Sequence, residues 1–115
     1  MSTNKRKTLG ELEEVVLLTV GVLQEEAYGL AITKEIERVT GRSVNMRAIH
    51  TTLYRLEEKG FVQSTLGGAT KQRGGRRKRL FTMTREGHLA ITETKNIRMQ
   101  LWNLLPAALG GGTNE

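Results

Sequence analysis

Apolar residues at 9, 12, 15, 16, 20 and 23 fall on one stripe of a helical wheel drawn through TLGELEEVVLLTVGVLQ (8–24). Thr8 is placed to cap this helix, and Glu11, Glu13 and Glu14 fill its first turns, where the helix dipole favours anions. A second, shorter stripe runs through AYGLAITKEIERVTGR (27–42): Ile32, Ile36 and Val39 share a face and Gly41 ends the helix. The third helix follows almost at once in NMRAIHTTLYRLEEKG (45–60), with Asn45 as N-cap, Gly60 just past the end, and Ile49, Leu53 and Leu56 facing inward. Three closely spaced helices, the second and third joined by a short turn, predict a helix-turn-helix.

After Gly60 the period changes from helix to strand. FVQST (61–65) and RLFTMT (79–84) are rich in β-branched and aromatic residues, and a Gly-rich basic segment separates them. A two-stranded hairpin that follows a helix-turn-helix is a wing. The last element, 84–106, begins at Thr84 as cap and ends at Pro106, with Ala90, Thr94, Ile97, Leu101 and Leu104 on one face. The expected fold is therefore mainly α (α+β): a winged helix-turn-helix head over 1–83, a C-terminal dimerisation helix over 84–106, and a frayed tail over 107–115. The stripe on that last helix exposes too much apolar surface for a lone protomer. Leu12 and Val16 of the first helix and Ala90, Ile97, Leu101 and Leu104 of the last are the expected dimer contacts.

Charge narrows the function. The chain of 115 residues carries +6, yet the segment 42–85 alone holds eleven Lys or Arg against Glu57 and Glu58, a local +9. So one-sided a field favours a polyanion, nucleic acid foremost. In the wing loop, Lys71, Arg73, Arg76, Arg77, Lys78 and Arg79 supply the charge, and Gly75 among the glycines lets the backbone come close to a phosphate strand. On the third helix, 100° steps send Arg47, Thr51 and Tyr54 away from the buried face. Asn45, Arg47, Ala48, His50 and Thr51 form its leading end, the part of a helix-turn-helix that enters the major groove. Arg47 suits guanine edges, while Tyr54 and Arg55, a turn further on, suit phosphates.

Other chemistries have little to stand on. The chain contains no Cys and no Asp, and no phosphate-binding loop or nucleophile elbow. His50 and His88 are far apart with no Asp or Cys near either, so no metal site, no cofactor and no catalytic residue is expected. Glutamates interrupt the start of the chain before any leader-like core, and no run reaches the ~20 apolar residues that would span a membrane. A cytoplasmic location is expected. An RNA-binding module is disfavoured by only five aromatic residues for base stacking, and a protein-interaction winged helix by the basic wing.

Three stretches carry a resemblance to a known family: YGLAITKEIERVTGRSV (28–44), LYRLEEKGFV (53–62) and GGRRKRLFTMTREG (74–87). Together they cover about half the chain, in order, and the chain resembles the PadR-like family of winged-helix transcriptional regulators, in its small branch with a short C-terminal helix. The resemblance implies a homodimeric repressor on a pseudo-palindromic double-stranded operator, often near a transporter or permease gene, released by a signal. His50 stands where the family usually has a tyrosine, and Leu80 and Phe81 where it usually has two aromatics. Some small-branch members hold planar ligands between tryptophans of two subunits. The sole tryptophan, Trp102, is thus a candidate wall for a small-molecule effector, with core or dimer packing the competing role.

Overall fold

The computed structural model describes residues 8–67 and 78–111. Four helices and one hairpin follow in the order α1 (Glu11–Leu23), α2 (Gly29–Thr40), α3 (Met46–Glu58), β1 (Val62–Leu66), β2 (Arg79–Met83) and α4 (Arg85–Leu104), with short 3-10 turns at Gln24–Glu26 and Ala107–Leu109. The strands pair antiparallel, Val62 opposite Met83 and Leu66 opposite Arg79, and form the expected winged helix-turn-helix with its C-terminal helix.

α3 follows the sequence pattern closely. Asn45 Oδ1 accepts hydrogen bonds from the Arg47 and Ala48 N–H groups at 2.7 and 3.2 Å, which satisfies two otherwise unpaired donors at the helix start. Ile49, Leu53 and Leu56 are fully buried, and Gly60 takes φ +82° just beyond the end. The turn from α2 is pinned by Glu37, whose carboxylate accepts from the Val44 N–H at 3.0 Å. The core joins these side chains to Val16, Leu17 and Val20 of α1, Ile32 and Ile36 of α2, Val62 and Phe81 of the hairpin, and Ile91 of α4.

Several expectations change. The cap of α1 is Gly10 rather than Thr8: the Glu13 carboxylate reaches back to accept from the Gly10 N–H at 2.6 Å, so the helix opens two residues later. Val39, expected on the inner face of α2, is 67% exposed one turn beyond Ile36, the last buried residue of that helix. Val16 is 0% exposed within its own protomer, so it is a core residue and cannot present a dimer surface. Residues 107–109 form a turn closed by the Gly110 N–H donating to Ala107 O, where a frayed tail was expected; 112–115 lie outside the described residues. The hairpin also gains a partner: the Phe81 N–H donates to Ala27 O at 3.0 Å and Tyr28 bridges Leu80, tying the wing's root to the start of α2.

Two adjacent glutamates of α1 hold the other elements in place. Glu13 pairs with Lys59, at the end of α3, at 2.8 Å; Glu14 receives both Nε and Nη2 of Arg98 from α4 at 2.8 Å each. Burial opposes ionisation of Glu13, but the hydrogen bond from the Lys59 ammonium, the Gly10 N–H and the charges of Lys59 and Arg55 outweigh it and hold the carboxyl below the ordinary glutamate value. A carboxyl so depressed adds stability above its unfolded pKa, and the increment is lost as pH falls through the folded pKa. Glu13→Gln should therefore lower stability at neutral pH and flatten the loss of stability below about pH 4.5. Urea midpoints at neutral and acid pH measure this; an acid limb as steep as the parent's would remove Glu13 from the account.

Among the described residues no helix is long and apolar enough to cross a membrane, and no three His, Cys, Asp or Glu side chains gather as metal ligands.

Candidate nucleic-acid interface

The outward face of α3 is built as the wheel predicts. Arg47, Thr51, Tyr54 and Arg55 are exposed, and Ala48 and His50 are half-buried beside them. The Asn45 side chain is exposed too, but its oxygen is committed to the cap, which leaves only its NH2 for an outside partner. Arg47, Thr51 and Tyr54 sit one turn apart along one line, a spacing that a groove edge can meet.

Next to this face lies a cleft of about 390 Å³ between three segments: Tyr28, Gly29, Leu30, Ala31 and Lys34 of the α2 end, His50 of α3, and Lys78 with Arg79 at the wing root. Its closeness depends on Gly29. A Cβ there would lie 2.6 Å from His50 Cε1, so only glycine lets the imidazole rest on the α2 backbone. The Tyr28–Leu80 bridge sets the wing root on the other side. Lys78 Nζ stands 4.6 Å over the Tyr28 ring, a cation–π contact, and Arg79 donates to Ser64 Oγ, which donates in turn to Glu57. Both wing bases among the described residues are thereby held close to the body of the domain. Lys71, Arg73, Gly75, Arg76 and Arg77 lie outside the described residues.

Tyr28, Leu30 and Lys34 are missing from the sequence-based site. The string YGLAITK did carry them, but nothing in its own periodicity says that the start of α2 faces the wing; the Phe81–Ala27 hydrogen bond decides that.

The expected dimer residues separate into two groups. Ile97, Leu101 and Leu104 are exposed on the outer face of α4, Leu12 is exposed on α1, and Ala90 is half-buried. Beyond Ile91, every α4 side chain is at least partly open, and Trp102 and Leu105 continue the apolar surface to the helix end. Trp102 is about half exposed on this face.

The fold has counterparts. A PadR family transcriptional regulator from Eggerthella lenta is 25% identical, with a TM-score of 0.62, over 79% of this chain and 79% of its own. RosR from H. salinarum is 24% identical with a TM-score of 0.66, over 90% and 86% of the two chains. A PadR-like transcriptional regulator from Bacillus cereus is 21% identical with a TM-score of 0.64, over 78% and 82%. The last two establish likeness of fold. No curated protein is similar enough to count as a match. Residues 17–93 fit the family described as the transcriptional regulator PadR-like family, and these residues include the helix-turn-helix, the hairpin and the first turns of α4. The chain belongs to the PadR-like family of DNA-binding transcriptional regulators.

Proposed function

We propose that the protein is a homodimeric repressor that reads a pseudo-palindromic operator with α3 and steadies the duplex with its wing. The observation that carries this reading is the line of Arg47, Thr51 and Tyr54 on the exposed face of α3, flanked by the basic cleft at His50, Lys34 and Lys78. A major groove about 12 Å wide admits one helix, and the groove edges offer guanine O6 and N7 to a guanidinium. Phosphates on either side then meet Arg55, the cleft and the wing's Lys71, Arg73, Arg76 and Arg77. The unpartnered apolar face of α4 supports the dimer, and a two-fold pair of heads suits half-sites about one helical turn apart. Repression accords with the family resemblance. Trp102 extends the same apolar face, which supports packing between subunits as its role.

The test starts from duplexes that the purified protein selects out of a random pool. Arg47→Ala and Thr51→Ala should each cost about 1–3 kcal/mol on the selected sequence and much less on random duplex. Equal loss on both would overturn direct readout by α3.

A further inference from the structure

His50 occupies a place where a proton would matter. Its ring rests on Gly29, with Nε2 at 2.8 Å and Cε1 at 2.6 Å from the point where a Cβ would stand. On its own helix Tyr54 is the aromatic neighbour, ring centroids 6.4 Å apart, and Arg47 precedes it by one turn. From α2 the cleft presents Tyr28 and Lys34, and from the wing root Lys78 and Arg79. The described residues that line it include no carboxylate. Among the described residues of the cleft an imidazolium therefore has cations beside it and no carboxylate to answer its charge. An incoming phosphate would answer it.

Resting on the reading that this face meets DNA, we propose that duplex binding by this chain is linked to protonation of His50, so that affinity rises as pH falls through the imidazole range. The physical step is a proton equilibrium without bond rearrangement: the neutral imidazole takes a proton from solvent when a backbone phosphate settles in the cleft, because a negative charge within a few ångströms favours the charged form. The sign follows. A proton taken up on binding makes the complex tighter in acid, and the gain is lost as pH rises. Each linked imidazole can change affinity by at most about tenfold per pH unit.

Random-sequence duplex DNA is the probe, because phosphates and not bases are the proposed partner. The full-length protein is titrated at about pH 8 and about pH 6 at one ionic strength, and calorimetry in two buffers of different ionisation enthalpy counts the protons taken up on binding. The expected result is binding about tenfold tighter at the lower pH, with net proton uptake. His50→Gln should abolish the pH dependence while circular dichroism shows an unchanged fold. His88→Gln should keep it, since His88 is exposed on α4 and lines a different groove, with Lys95 and Arg98. The proton count on the unsubstituted protein stands even if a variant folds poorly. Binding that is equal at both pH values, or a pH dependence that survives in His50→Gln, overturns the linkage and leaves the DNA-binding reading intact. Absence of duplex binding at either pH overturns both.

Discussion

The double substitution Ile97→Glu, Leu101→Glu should turn the protein into a monomer that binds its selected duplex at least about a hundredfold more weakly than the parent. Both side chains lie on the outer face of α4, 50% and 62% exposed, so neither change removes anything from the protomer's core. Surface substitutions of that kind usually alter stability by about 0.5 kcal/mol or less. Between two copies the effect is different, because each carboxylate would have to leave water for an apolar seam with no cation to pair it. A dimer holds its second head near the second half-site at a high effective concentration, and avidity of that kind adds roughly 10²–10⁴ to affinity. A monomer forfeits it. Sedimentation equilibrium and DNA titration of the same samples give the two readings side by side, and thermal unfolding checks that the protomer is intact. A double variant that remains dimeric would move the dimer surface away from the α4 face.

How much of this could be read from the sequence depends on how cleanly each helix separates its faces. α3 could be read almost whole, since Ile49, Leu53 and Leu56 are its apolar positions on one side, polar residues fill the other, and Asn45 and Gly60 mark the ends. α1 could not. Its run VVLLTVGVL is apolar nearly all round, so periodicity cannot choose between Leu17, which is buried, and Leu18 or Val22, which are exposed. The same ambiguity placed Val16 at the dimer surface when it belongs to the core. On α4 the outer stripe is plain in the sequence, and among the described residues it stays exposed.

The interface divides in the same way. The readout face of α3 follows from a helical wheel, since one local element builds it. The cleft beside it joins residues at 28–34, 50 and 78–79, and only tertiary pairing brings these together. Charge counting found its lysine and arginine at the wing root but had no means of finding Tyr28 or Lys34. It also gave no warning that Arg79 would be engaged by Ser64, or Lys78 by Tyr28. Gly87 shows a further limit. A Cβ there would collide with Phe61 O, so the start of α4 is pressed on the backbone before β1, and no local pattern around a glycine in a first helical turn reveals that.

Phe81→Ala should be the most destabilising single substitution on the wing, at about 3–5 kcal/mol. Phe81 is the largest of the fully buried side chains and the one buried position in β2, where Leu80 is only half-buried at the core's edge and Thr82 is exposed. Its ring belongs to the same cluster as Leu17 of α1, Ile32 of α2 and Leu53 of α3, so truncation leaves a cavity that three helices and a strand would have to close together. A domain of this size has roughly 5–15 kcal/mol of stability in all, so the loss is a large part of the whole. The effect should reach the DNA face as well, because the Phe81 N–H bond to Ala27 O fixes the wing root beside α2 and hence sets the width of the cleft at His50. Urea unfolding measures the first consequence as a fall in midpoint with little change in slope. Leu80→Ala is the comparison: it shortens a half-buried side chain on the other face of the same strand and should cost clearly less. If both substitutions cost the same small amount, the hairpin is not anchored through Phe81, and the cleft that depends on that anchor loses its support.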